Sequence, residues 1–215
     1  MINKLREPVN GLTHFFAALV AVIGLAALLI IGRANAGNEI SLAIYGVSVI
    51  LLFSASATYH MVKANPRVIE ILRKFDHSAI YLLIAGSYTP ICYIMFTGFW
   101  KWGMLAIIWS FALIGVILKI FIIRAPRWVN AGIYLVMGWM AVIGVQEMLT
   151  RLPAGALIWL GVGGIIYTLG AVIYITKIFN FVPGKFGFHE VWHIFVILGA
   201  LAHFIAILAY IAPVS

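Results

Sequence analysis

Seven apolar runs organise this chain: 13–32, 40–62, 77–98, 102–123, 128–149, 154–176 and 188–211. Each is close to the roughly 20 residues a helix needs to cross the hydrocarbon core of a bilayer. The runs are continuous, whereas membrane β-barrels show alternation over strands of about 10 residues. The separators carry breakers or charges: Arg33 to Gly37, Lys63 to Lys74 with Pro66, Gly98 to Lys101, Arg124 to Arg127 with Pro126, Arg151 to Pro153, and Lys177 to Lys185 with Pro183-Gly184. They are short, with no repeat or low-complexity tract. The pattern predicts an all-α protein, one seven-transmembrane helix bundle over residues 1–215. Pro90 falls inside the third run and predicts a kink there.

The first run raises the question of a signal peptide. Lys4 and Arg6 precede it, and Ala34-Asn35-Ala36 resembles a cleavage site. Its length is that of a span, however, and a signal h-region has only about 7–15 residues. It reads as an uncleaved first helix.

Composition agrees with a lipid solvent. The chain is 65% hydrophobic and 9% charged, with a mean hydropathy of +1.12. A soluble domain carries about 25% charged residues. In lipid, every backbone polar group must be satisfied internally, which favours helices.

The net charge of +8 sits in short clusters between apolar runs, which argues for topology determinants and against nucleic acid. Lys4, Arg6, Lys63, Arg67, Arg73, Lys74, Lys119, Arg124, Arg127, Lys177 and Lys185 fall on one side, 11 in number, against 3 on the other, Arg33, Lys101 and Arg151. The positive-inside rule then puts the N-terminus in the cytoplasm and Ser215 outside. A lone cysteine, Cys92, excludes an intramolecular disulfide.

The same topology gives depth to the polar residues inside the runs. His14, His60, His77, His189 and His193, with Asp76, fall at the cytoplasmic ends of four helices; only His203 lies deeper. Ionisable residues within spans are costly and usually face the bundle interior for a functional reason. The alternative is that interfacial histidines sit among headgroups or hydrogen-bond within the bundle.

His189-x-x-x-His193 places two imidazoles on one helix face. Ser56-x-x-x-His60 repeats that spacing in the second run, so Ser56 points the same way as His60, one turn deeper. A third imidazole from His60 would complete a three-histidine set with a fourth position left for water, the pattern of catalytic zinc. Imidazole also accepts iron and other divalent ions. A haem reading of His189 and His203 fails because no other run carries a mid-membrane histidine to oppose His203. His203 is then a buried hydrogen-bonding or cavity-lining group.

These residues carry a resemblance. Glu7-Pro8-Val9-Asn10-Gly11-Leu12-Thr13-His14 before the first run, Ser56-x-x-x-His60, Asp76-His77 and His189-x-x-x-His193 occur in order at the right spans. On them the chain resembles the hemolysin III group, the bacterial branch of the progestin and adipoQ receptor family. The resemblance covers essentially the whole chain and implies seven helices with the N-terminus cytoplasmic, in the bacterial cytoplasmic (inner) membrane. It implies zinc (Zn2+) held by His60, His189 and His193, with Asp76 and Ser56 close by. A wider superfamily that includes alkaline ceramidases suggests hydrolysis of a lipid amide. The chain has no long soluble segment like that preceding the animal receptors, which argues against a hormone-receptor role.

The expectation is therefore a zinc-dependent membrane hydrolase acting on an amide or ester bond of a membrane lipid. No nucleic acid and no soluble protein partner are expected. Asp76 would move the proton as acid and base, and Ser56 would donate to the developing oxyanion or orient water. Glu7, Asn10, His14, His77 and His203 would support the site, although Asn10 or Thr13 could instead simply cap the first helix. The competing reading is a non-enzymatic sensor or receptor, or a pore-forming cytolysin, with structural zinc. A transporter is disfavoured, since no pair of spans shows the interruptions of inverted repeats. Gly161, Gly163, Gly164 and Gly170 read as close-packing residues of the sixth run, and Trp100, Trp102 and Trp128 as interfacial anchors.

Overall fold

A computed structural model of the protein describes residues 5–33, 35–122, 125–182 and 186–214. Lys4, Ala34, Arg124, Pro183, Gly184, Lys185 and Ser215, which entered the expectations above, lie outside the described residues. Helices dominate: α1 Pro8–Ile31, α2 Ala36–Met61, α3 Pro66–Pro90, α4 Gly98–Phe121, α5 Arg127–Trp139, α6 Val145–Arg151, α7 Ala154–Thr176 and α8 Phe188–Tyr210. A π turn at Ile91–Met95 extends α3, and a 3₁₀ turn at Met140–Gly144 joins α5 to α6. Among the described residues, seven segments are long and apolar enough to cross a membrane.

Six of the seven expected spans sit within a few residues of their helices. The exception is the third, whose helix begins at Pro66 and not at residue 77. Asn65 caps it by accepting from the Val68 amide at 3.0 Å, and Pro66 occupies the first turn, where its missing N–H costs nothing. Much of the stretch from Lys63 to Lys74 is thus helix, which an apolar-run criterion misses because the stretch is amphipathic. At Pro90 the α-helix gives way to the π turn, the accommodation expected where proline removes a ladder bond.

The helices close a ring. α1 packs on α2, α2 on α3, α3 on α5, α5 on α7, α7 on α8, and α8 back on α1; α4 packs against α3. Small residues set the closest approaches. A Cβ at Gly170 would lie 2.7 Å from the Phe195 side chain, and one at Gly164 would meet Trp139 at 3.4 Å. Gly163 faces His203 and the Gly199 carbonyl on α8. Gly161 differs from expectation: nothing approaches it, because it lines the interior cavity. Trp102 and Trp128 are exposed as anchors should be, whereas Trp100 turns inward against Gly144 and lines the cavity.

That cavity, of about 780 Å³, lies within the ring. It extends from His189 and His193 at one end of the bundle to Trp100 and Met148 toward the other. Its volume is in the range of a ligand-sized pocket, and its lining is largely aliphatic and aromatic, as such pockets are.

Candidate metal centre

The three histidines singled out by spacing converge. His60 at the end of α2 and His189 and His193 at the start of α8 each offer a ligand atom, and these atoms lie within 4.8 Å of one another. Ring centroids are 5.2 Å apart for His60–His189, 4.6 Å for His60–His193 and 5.0 Å for His189–His193. His60 and His193 are buried. The donor set suits a borderline ion such as zinc. The His193 Nδ1 is buried with no hydrogen-bond partner, so this ring depends on its other nitrogen or on a ligand for polar compensation.

The N-terminal segment holds the centre together. The Glu7 and Arg6 amides donate to the His60 and Met61 carbonyls at 2.9 and 3.3 Å, which stitches this segment to the end of α2. The Glu7 carboxylate then accepts from His60 Nδ1 at 2.6 Å. That bond fixes the tautomer and leaves Nε2 as the ligand atom, the usual carboxylate–histidine arrangement behind a metal. Burial pushes the Glu7 carboxyl up. The His60 hydrogen bond and charge, with help from Arg6 and Asn10, outweigh it and hold the group at about 2.

Asn10 is 1% exposed and spans two carboxylates. Its Nδ2 donates to Glu7 at 3.3 Å and to Glu190 at 2.9 Å. Glu190 in turn accepts from the Gly187 amide at 2.8 Å and so closes the first turn of α8. The start of α1, the end of α2 and the start of α8 are thereby locked in one polar network. The expectation that Asn10 or Thr13 caps the first helix is wrong. The helix starts at Pro8, Glu7 holds the cap position without a capping bond, and Thr13 bonds back to the Val9 and Asn10 carbonyls. Replacing Glu7 with glutamine should keep the fold and weaken metal binding about 10- to 100-fold, as loss of an outer-shell carboxylate does. Competition with a chelating dye measures this; unchanged affinity would show that Glu7 leaves the ligand untouched.

Ser56 is buried one turn below His60, with its hydroxyl beside the Asp76 carboxylate, and both line the cavity with His189 and His193. His14 packs against His193, centroids 4.0 Å apart with the rings tilted by 40°, and its Nε2 lies 3.4 Å from the His193 carbonyl. It therefore packs behind a ligand and is no member of the three-atom group. His77 turns toward α5, where Tyr134 Oη lies 3.4 Å from its Nδ1. His203 donates from Nδ1 to the Gly199 carbonyl at 3.0 Å and lines the cavity away from the centre. Sequence reasoning misses Glu190, although its place between the two ligand histidines and three residues after Gly187 is a signal. It also misses the cavity-facing role of Arg73 and Arg127, which it takes for topology charges.

Comparison with known proteins agrees with this architecture. The family model described as "Haemolysin-III related" matches residues 2–204. Hemolysin-3 of Bacillus cereus is 34% identical over 213 residues, covering 97% of this chain and 93% of the relative. The Hemolysin-3 homolog of Bacillus subtilis is 36% identical, with 100% and 98% covered. The human monocyte to macrophage differentiation factor is 31% identical over 94% of this chain and 83% of its own length. Seven apolar spans, the converging histidines and a match over nearly the whole length place this chain in the haemolysin-III-related family of multi-pass membrane proteins.

Proposed function

We propose that the chain is a zinc-dependent hydrolase of the bacterial inner membrane, cleaving an amide or ester bond of a lipid at the cytoplasmic face. One observation carries this reading. Two of the three histidines that could hold a metal ion, His189 and His193, line together with Asp76 and Ser56 an apolar cavity able to take an acyl chain. His60, His189 and His193 would hold the ion. When bound, it would supply Lewis acidity toward the scissile carbonyl and acidify water in the site.

The chain's own groups do the rest. Asp76 accepts a proton from the attacking water and returns it to the leaving group. Ser56, beside it, donates a hydrogen bond to charge that develops on the carbonyl oxygen. The apolar walls fix the tail and keep bulk water from the reacting bond. The charge asymmetry of 11 against 3 supports a cytoplasmic N-terminus, and so a cytoplasmic metal centre.

Sealed vesicles of known orientation test chemistry and sidedness together. Inverted vesicles carrying the protein should release the polar fragment of a lipid amide into the medium. A membrane-impermeant chelator should abolish that release there and leave right-side-out vesicles unaffected. Chelator sensitivity confined to right-side-out vesicles would reverse the topology, and no cleavage in either would sink the hydrolase. The name of the Bacillus cereus relative suggests a cytolysin instead. That reading predicts lysis of red cells by metal-stripped protein.

A further inference from the structure

The histidine end of the cavity also gathers cations that form no ion pair among the described residues. Arg73, one turn before Asp76 on α3, and Arg127, the first residue of α5, both line the cavity. Lys119 on α4 is 3% exposed, and its ammonium bonds Asn130, another lining residue. Arg73 and Lys119 are near enough to repel each other.

The acids nearby are engaged elsewhere. Glu7 serves His60 and Arg6, Glu190 serves Asn10 and the Gly187 amide, Asp76 sits beside Ser56, and Glu70, one turn before Arg73 on α3, forms no ion pair with it. The ion pairs among the described residues join Arg6 to Glu7, His60 to Glu7 and Arg151 to Glu147, so Arg73, Arg127 and Lys119 take part in none. The Arg73 Nε is buried and has no hydrogen-bond partner. The Arg127 guanidinium rests over the Tyr174 and Phe188 rings, at 5.5 and 5.0 Å from their centroids, which orients it without neutralising it.

Charges at the edge of a membrane core are costly without partners. Topology alone asks only for charges that reach the headgroups, as exposed Arg67 on the same helix does. It gives no reason for cations to face an interior cavity. Arginine presents a planar fork that matches carboxylate and phosphate oxygens.

We infer that the polar end of the cavity binds an amphiphile whose headgroup bears a carboxylate or phosphate, held by Arg73 and Arg127 and reinforced by Lys119. The tail would lie along the apolar cavity, with the bond next to the headgroup beside the histidines. The substrate class is then an anionic lipid. That last step rests on the hydrolase reading; the binding itself does not.

The test is binding of two matched probes, N-lauroylglycine and neutral N-lauroylethanolamine, to the purified full chain in phosphatidylcholine nanodiscs. The anionic probe should bind about tenfold tighter, as one or two charge-assisted hydrogen bonds give. Arg73→Gln and Arg127→Gln should each bring the ratio toward one, while Arg73→Lys and the exposed Arg67→Gln keep most of it. Arg127→Gln lies at a helix start, so it serves should Arg73→Gln fail to fold. Equal affinity for the two probes, or a ratio unmoved by every cavity variant, overturns the proposal. Displacement of the anionic probe by inorganic phosphate as effectively as by unlabelled lauroylglycine also overturns it, leaving a free-anion site. Cleavage of both probes at equal kcat/KM with unchanged arginine variants removes the anion subsite and spares the hydrolase. Selective binding without cleavage does the reverse.

Discussion

Replacing His193 with alanine should take bound zinc in the purified protein from about one ion per chain to under about a tenth, since two imidazoles rarely hold zinc against buffer. The ring is buried, and its ligand atom lies within 4.8 Å of those of His60 and His189. Truncation also removes packing against His14, so misfolding could mimic ligand loss. His14→Ala separates the two. It deletes the ring packed 4.0 Å from His193 and leaves the three ligand atoms in place, so zinc should stay. Elemental analysis of both variants reads the result directly. Thermal unfolding gives an independent readout, because an ion that binds only the native state adds about 4 kcal/mol at a thousandfold excess over Kd. Chelator should therefore lower the wild-type melting temperature and leave that of His193→Ala unmoved. Full zinc in His193→Ala would mean that the cluster is not the metal site.

How far such a centre is legible in sequence depends on what the solvent imposes. Bilayer thickness dictates run length, so hydropathy alone suffices to count the spans. Helical periodicity dictates that residues four apart share a face, which pairs His189 with His193 and places Ser56 below His60. The charge asymmetry then brings His60 and His193 to one depth, and in the fold they meet.

Ring closure is not legible in this way. In lipid, apolar surface carries no information about its partner, because tails are as apolar as leucine. Nothing in hydropathy says that α1 returns to α8. For the same reason the Asn10–Glu190 bond, joining residues 180 apart, is hidden, although each is polar where polarity is costly. Arg73 shows a different failure. A cation beside a span satisfies the positive-inside rule whichever way it points, so counting it toward topology conceals that it faces the cavity. The start of α3 has a readable signal in Asn65-Pro66, but a search for apolar runs gives its charged first turns no weight.

The second large effect concerns Asp76, and it decides between a catalytic and a structural centre. Asp76→Asn keeps the shape of the side chain and removes its basicity. If the carboxylate handles the proton, zinc content should stay near one per chain while kcat falls about 10²- to 10⁴-fold, the range for loss of a general acid–base group. The expectation follows from position. Asp76 is on α3, while the three ligand histidines come from α2 and α8, and it lines the cavity beside Ser56 where a substrate's reacting end would lie. Ser56→Ala should cost less, because water can take over the lost hydrogen bond. If Asp76→Asn instead loses the ion, the carboxylate is a fourth ligand. The centre is then closed like a structural zinc site, and the seven-helix bundle holds its metal for stability. If both ion and turnover survive, the proton passes through another group, and His14, with its buried and unpartnered Nδ1 beside His193, becomes the first to test.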